Sequence, residues 1–206
     1  MDDIVKQAMA KWPNVPHCHG WLALDARGGW RMRDERAQAL DLPGDKIANP
    51  TLLGFINRNY MHDAQGRWYF QNGPQRVYVD LEATPYVAHT DPAQDFVLHT
   101  GEPIPAIDAA WLTESGELVL KSGDKIAMVD DRDMAQCLSQ LRTNGSAVTD
   151  EQLLEWLAGK STAVKNLTLC LKNIELPVQR IKRDDLAARF KFVTRPRMDG
   201  TSNASA

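Results

Sequence analysis

The chain has little that would tie it to a familiar chemistry. Its 206 residues contain three cysteines, Cys18, Cys137 and Cys170, odd in number and widely spaced, so neither a disulfide framework nor a CxxC zinc or redox pair is written into them. The glycine signatures G-x-G-x-x-G and G-x-x-x-x-G-K-[ST] are missing, as is a G-x-S-x-G elbow for a serine nucleophile. No run approaches the ~18 apolar residues needed to cross a bilayer. Charge of one sign is missing too: 24 Lys and Arg stand against 27 Asp and Glu, a net of −3, which gives no global field to attract nucleic acid or anionic lipid. The start, MDDIVKQAMAKW, is acidic and has no long apolar centre, which argues against a secretory or transit peptide. These absences predict a cytoplasmic protein with reduced thiols and no cofactor, and they argue against membrane or nucleic acid as partner.

What is present is enough apolar material, 43% of residues, to build sizeable cores without metal or disulfide staples. The stretch Phe55 to Glu82 organises the rest. It ends a helix, turns at Asp63-Ala64-Gln65-Gly66, runs through Trp68-Tyr69-Phe70, turns again at Asn72-Gly73 and returns through Val77-Tyr78-Val79. Asp at the first turn position caps the turn's own amides, and Gly at the fourth accepts backbone angles that other residues resist. The same pattern recurs 50 residues later: Gly66 with Gly116, Gly73 with Gly123, Asp80 with Asp130. A further copy of the first turn lies upstream at Asp25 to Trp30. A regular offset with matching apolar positions predicts a duplicated structure.

Around these meanders the sequence predicts a helix over 4–12 with Ile4, Val5, Ala8, Met9 and Trp12 on one face, and a hairpin in HCHGWLALDARGGWRM. Arg33 to Asp45 reads as a charged loop with one helical turn at Glu35 to Leu40, outside any core pattern. A second helix starts at Asn49-Pro50, carries Leu52, Leu53, Phe55 and Ile56 inward and ends near Asn59. His89 to Asp95 reads as a linker. Beyond the second meander come helices over 132–141 and from Thr149, whose spacing to Gln152 is that of a capping box, to Gly159. Strands are expected at 167–171, 177–181 and 188–193. The resulting fold class is α+β, with two β-rich subdomains built from related antiparallel meanders and short flanking helices. They are expected over 1–92 and 96–196, followed by a disordered tail over 197–206.

The segments HGWLALD, LLGFINRNY, GRWYFQNGPQRVYVDLEATPYV and VDDRDM, which cover most of residues 19 to 134, resemble an uncharacterised proteobacterial family of unknown function. The order of Trp-strand, D-G-x-W turn, helix, D-x-x-G-x-aromatic turn and V-x-V-[DE] strand is loosely similar to a second family of unknown function. That likeness implies a duplicated two-domain core with a pleckstrin-homology-like C-terminal half. It also implies a small-ligand site of nucleotide-like chemistry at the domain interface, and a signalling role. The charged insertion Arg33 to Asp45 departs from the second family's pattern.

For function, the densest polar cluster on an apolar segment is Asn57, Arg58, Asn59 and Tyr60, where an Arg flanked by amides has the chemistry to grip a phosphate or carboxylate. The same residues also suit a helix C-terminal cap. On the return strand, period two places Arg76, Tyr78 and Asp80 on one face, continuing towards Glu82, as the lining of a polar cleft between subdomains. A half-buried strand with a solvated polar face explains the same pattern. His17-Cys18-His19 offers two ligands on one strand face, short of a complete zinc site unless His62, His89 or His99 joins them. In the basic C-terminal stretch, Phe190 and Phe192 are too few aromatics for a single-stranded nucleic-acid platform. The first expectation is therefore a non-catalytic ligand-binding or regulatory protein for an anionic or nucleotide-like small molecule. The alternatives are a small hydrolase or transferase using Asp80 or Glu82, and an interaction module whose sheet edges bind another chain.

Overall fold

The computed structural model describes residues 1–161, 164–172 and 174–198, with residue 174 described by its backbone only. The chain divides into two compact units, Met1–Ala83 with Lys191–Ala206, and Thr84–Phe190. The division thus falls at 83/84 and not at 92–96, and the segment after 190 belongs to the first unit. The architecture is α+β with two β-rich units, as the sequence predicts.

The first unit opens with α1 (Asp3–Lys11), the hairpin β1 (Cys18–Leu24) and β2 (Trp30–Met32), then α2 (Glu35–Ala39) and the short β3 (Asp45–Lys46). Helix α3 (Pro50–Arg58) leads into the meander β4 (Tyr60–His62), β5 (Trp68–Asn72) and β6 (Gln75–Leu81). Their sheet runs β3-β2-β1-β6-β5-β4, with β1 parallel to β6 and the other pairs antiparallel. Asn49 caps α3 by accepting from the Leu52 amide at 3.0 Å, and Pro50 occupies the first turn, where its missing N–H costs nothing. Its inward face is narrower than expected: Ile56 is buried, Phe55 and Leu53 are half-buried, and Leu52 is exposed. In α1 only Val5 is buried, while Ile4 and Trp12 are exposed, so most of its apolar stripe has no counterpart in this unit's core. Strand β4, too short to show a period, carried no sequence signal.

The second unit contains β7 (Tyr86–Asp91), β8 (Asp95–Leu98), and the meander β9 (Ala109–Thr113), β10 (Leu118–Ser122) and β11 (Lys125–Val129). A 3-10 turn and α4 (Met134–Leu138), β12 (Leu141–Thr143), β13 (Ser146–Ala147) and α5 (Asp150–Leu157) follow. The unit closes with β14 (Leu167–Leu171), β15 (Ile174–Ile181) and α6 (Leu186–Phe190). The sheet runs β13-β12-β14-β15-β9-β10-β11-β7-β8. The expected linker at His89 to Asp95 is instead the β7/β8 hairpin, with Asp91 accepting from the Ala93 and Gln94 amides at 2.8 Å each. Asp-Pro-Ala-Gln-Asp is a turn, and a turn read alone is indistinguishable from a linker. The expected strand at 188–193 is also corrected, since Leu186–Phe190 is helical. Thr149 and Gln152 do form the capping box, and Gly159, at φ +71°, ends the helix.

The 50-residue offset corresponds to a repeated topology. In each unit a hairpin (β1/β2, β7/β8) joins a meander (β4 to β6, β9 to β11) through a parallel pair, β1 with β6 and β7 with β11. The turn chemistry repeats as well. The Gly66 amide donates to the Asp63 carbonyl, and Asp63 Oδ1 accepts from the Gln65 and Arg67 amides at 3.0 Å. Asp25 does the same for the Arg27 and Gly29 amides, and Thr113 Oγ1 accepts from the Glu117 amide at 3.1 Å. Gly28, Gly66 and Gly116 lie at φ +78°, +75° and +83°. The cores are the strands' inner faces, with Val79, Ala88, Leu112, Val119 and Leu169 fully buried. Each large aliphatic of this kind contributes roughly 1.5–3 kcal/mol on burial.

Two glycines separate strain from crowding. A Cβ at Gly66 would collide with the Lys191 carbonyl, whereas at Gly123, φ +59°, nothing lies within 4 Å. Gly123→Ala should cost only the left-handed penalty, about 1–2 kcal/mol, while Gly66→Ala should cost clearly more; urea unfolding of both variants checks the order. Asp63 gives a pH signature. Burial raises its pKa, but bonds from Arg67 and Tyr78 outweigh this and hold the carboxyl below its ordinary value. Its contribution is therefore present above the unfolded-state pKa near ~4 and disappears as pH falls through the folded-state value. The stability gap between wild type and Asp63→Asn should shrink from pH ~6 to pH ~2, measured as urea midpoints.

Candidate functional site

Strand β6 delivers the central residue. Its parallel pairing with β1 sets Val79 opposite Leu22 and Leu81 opposite Leu24, while Asp80 lies opposite Ala23 on the other face. The Asp80 carboxylate is buried, yet both oxygens are used: Oδ2 accepts from Arg33 Nη1 at 2.8 Å and Oδ1 from Arg197 Nη1 at 3.0 Å. Arg33 follows directly on β2, its amide donating to the Trp21 carbonyl at 2.9 Å. Its guanidinium also donates to the Leu42 carbonyl at 3.0 Å and to Asp41 Oδ1 at 2.9 Å. With 7% of each side chain exposed, Arg33 and Asp80 form a buried pair whose desolvation is offset by this dense bonding.

The second and third arginines come from the C-terminal return. The Val193 amide donates to the Gly66 carbonyl at 3.0 Å and the Leu81 amide to the Thr194 carbonyl at 2.7 Å, which lays residues 193–194 beside the sheet. Arg195 then meets Asp41 at 3.1 Å, and Arg197 reaches Asp80. Arg195's hydrogen bond is the largest cause holding the Asp41 carboxyl below its ordinary value. These groups, with His19, Gly20 and Gln38, line a cavity of about 390 Å³. A neighbouring one of about 220 Å³ shares Arg33, Asp41, Asp80 and Arg195 and adds Glu82 and Asp25. Three guanidiniums against two carboxylates leave one positive charge in excess in the larger cavity. The side chains of Arg195 and Arg197 are 57% and 46% exposed, so their remaining N–H groups face solvent.

Of the residues singled out in the sequence, the structure brings Asp80 and Glu82 to this region; Glu82 Oε2 accepts from the Ala26 amide at 3.0 Å. The others lie elsewhere. Asn57 Oδ1 accepts from the Trp30 indole at 2.8 Å. Arg58 pairs with Asp2 at 3.3 Å on the surface. Asn59, fully buried, caps α3, donating to the Phe55 carbonyl at 3.0 Å and accepting from the Asp2 amide at 2.8 Å. Tyr60 packs edge-on to Trp30 and against Trp68. Arg76 lies over the Tyr69 ring at 4.6 Å. Tyr78 is buried, its hydroxyl donating to Asp63 at 3.1 Å and its ring stacked on His19 at 4.5 Å. The face of β6 read as solvated is thus buried at Tyr78 and Asp80. His17 also packs on Tyr78, and among the described residues no three His, Cys, Asp or Glu side chains are grouped to hold a metal.

Arg33, Asp41, Arg195 and Arg197 were missed by sequence reasoning. Arg33 and Asp41 sit in the charged segment judged to lie outside any core, yet Arg33 and Ala37 are buried. Arg195 and Arg197 flank Pro196 where a strand was expected to give way to a tail. An Arg-Pro-Arg placed just after the apolar Phe192-Val193 was the available signal. The remainder of the expected tail, 199–206, lies outside the described residues.

A family model described as "Protein of unknown function (DUF2946)" matches residues 1–197. The chain belongs to this family. No curated protein matches it. Among solved structures, a DUF1285 family protein from Silicibacter pomeroyi DSS-3 is similar, with 12% identity, 80% of this chain and 82% of that chain covered, and a TM-score of 0.47. Among the described residues no helix is long and apolar enough to cross a membrane.

Removing the central carboxylate would leave Arg33 buried without its counter-charge. Asp80→Asn should lose roughly 3–5 kcal/mol in urea unfolding, whereas Asp2→Asn, which breaks the surface pair with Arg58, should shift the urea midpoint far less.

Proposed function

We propose that this family member is a non-catalytic binding or regulatory protein for an anionic small molecule, taken up in the pocket of Arg33, Arg195 and Arg197 in the first unit. The observation that carries the reading is the division of labour among these arginines. Arg33 is buried and bonded to Asp41, Asp80 and two backbone carbonyls, whereas Arg195 and Arg197 are fixed by Asp41 and Asp80 while their side chains stay about half exposed beside a cavity of about 390 Å³. Guanidiniums pre-positioned by carboxylates lose little further freedom when they bind an oxyanion, and their planar forks suit phosphate or carboxylate groups. A nucleotide-like ligand, a cytoplasmic location and a signalling role belong to the same proposal.

The hydrolase or transferase alternative draws less support. Asp80 is enclosed by two guanidiniums, and Glu82 accepts a backbone amide, so each carboxylate already serves as an anchor. The test is isothermal titration of the full chain with inorganic pyrophosphate and with AMP at low ionic strength. Arg195→Gln/Arg197→Gln should remove one binding equivalent, weakening that site by about tenfold or more. Equal binding by wild type and the double variant would remove the site from consideration, and release of phosphate from AMP would favour the enzyme.

A further inference from the structure

The second unit carries a different pocket, and its charge is balanced differently. Strands β9 and β15 are parallel neighbours in register, with Ile181 opposite Thr113. Both therefore leave the sheet at the same end, β9 turning back into β10 and β15 continuing into a 3-10 turn and α6. Diverging connections at the carboxyl ends of adjacent parallel strands open a crevice. Here the crevice is a cavity of about 470 Å³, with Trp111 and Leu157 as apolar walls and Arg180, Lys182 and Arg189 on its polar side.

The cations of this pocket are not neutralised in the way those of the first unit are. Arg180 Nη1 donates to the Trp156 carbonyl at 3.1 Å, with its guanidinium 5.5 Å from that indole's centre, so it caps the end of α5 without meeting a carboxylate. Arg189 lies 5.9 Å from the centre of the Phe190 ring, which packs edge-on to Trp111. Neither Lys182 nor Arg189 has an ion pair among the described residues. The nearby acids are engaged by Arg183: Glu117 forms a salt bridge with its guanidinium, and Glu114 accepts from its amide at 2.9 Å. Glu114 does sense Lys182, which contributes to lowering its pKa after the larger effects of its own and Arg183's backbone N–H groups. That leaves Asp185 as the acid lining the pocket that has no bonded partner among the described residues.

We infer that the pocket of Arg180, Lys182 and Arg189 is a second binding site, specific for a small molecule bearing several oxyanion groups. A single carboxylate would satisfy one of these cations. Three of them around a cavity of this size, with an aromatic and an aliphatic wall, fit a di- or triphosphate group or a polycarboxylate attached to a small apolar body. Lys182 and Arg189 are exposed, so the ligand enters from solvent without any opening of the core.

Isothermal titration of the full chain with inorganic pyrophosphate and, separately, with citrate tests this and distinguishes the phosphate from the carboxylate source. The titrations are run in the Arg195→Gln/Arg197→Gln background, so the first-unit pocket does not contribute. One equivalent of at least one of the two anions should bind, and adding Lys182→Gln and Arg189→Gln should weaken it by about tenfold or more. Circular dichroism of the quadruple variant should match its parent, because both added changes are on the surface. No binding of either anion in the parent, or unchanged binding after the added substitutions, overturns the inference. Loss of pyrophosphate binding on Arg195→Gln/Arg197→Gln alone, with citrate also silent, would place all anion binding in the first unit and overturn it equally.

Discussion

The ion pair between Arg33 and Asp80 is the constraint on which the first unit's polar architecture depends. Burying either charge alone costs several kcal/mol, so each must be present for the other to be tolerated. Once paired, they fix the chain around them. Arg33 holds the Leu42 carbonyl and Asp41, which orders the segment between β2 and β3. Asp80 holds Arg197, which docks the C-terminal return against the sheet. A pair of this kind contributes little net stability compared with an apolar substitute. What it supplies here is position, since two further arginines are held at defined places beside a cavity.

The second unit repeats the framework with different polar groups. Asp130, the counterpart of Asp80 by the 50-residue offset, is also fully buried and also neutralised by arginine, in this case Arg132 two residues on, with His89 Nδ1 at 3.3 Å. Arg132's hydrogen bond is the chief reason its carboxyl sits far below the ordinary range. Yet the cavity of this unit forms elsewhere, where β15 adds a second parallel neighbour to the meander. The second unit's cavity borders the carboxyl ends of the parallel strands β9 and β15, whereas in the first unit only the smaller cavity reaches the carboxyl ends of β1 and β6, and the larger one lies beside the start of β1. The duplicated part supplies the scaffold, and the parts outside the duplication supply the arginines.

This division explains how much could be read from the sequence. The meanders were legible because turn chemistry is local: Asp63 and Gly66, Thr113 and Gly116, Asn72 and Gly73 each dictate their own backbone. The capping residues Asn49, Thr149 and Gln152 were legible for the same reason. Burial of Tyr78 and Asp80 on the polar face of β6 was not, because it depends on Arg33 and Arg197, 47 and 117 residues away. Asn57-Arg58-Asn59 looked functional because polar residues on an apolar helix stand out locally. Their partners Trp30 and Asp2 are distant in sequence and turn the cluster into a tie between elements. The α6 region misled because Ala188 to Val193 alternates like a strand over too few residues to separate the two periods.

The central claim is that arginines placed by this framework present oxyanion sites. The most direct measurement is anomalous diffraction from crystals equilibrated with tungstate, a heavy oxyanion with the shape of phosphate. The account predicts tungsten peaks within hydrogen-bonding distance of Arg195 and Arg197 in the first unit and of Arg180, Lys182 or Arg189 in the second. Peaks confined to other surfaces, with both pockets holding only water, would contradict it.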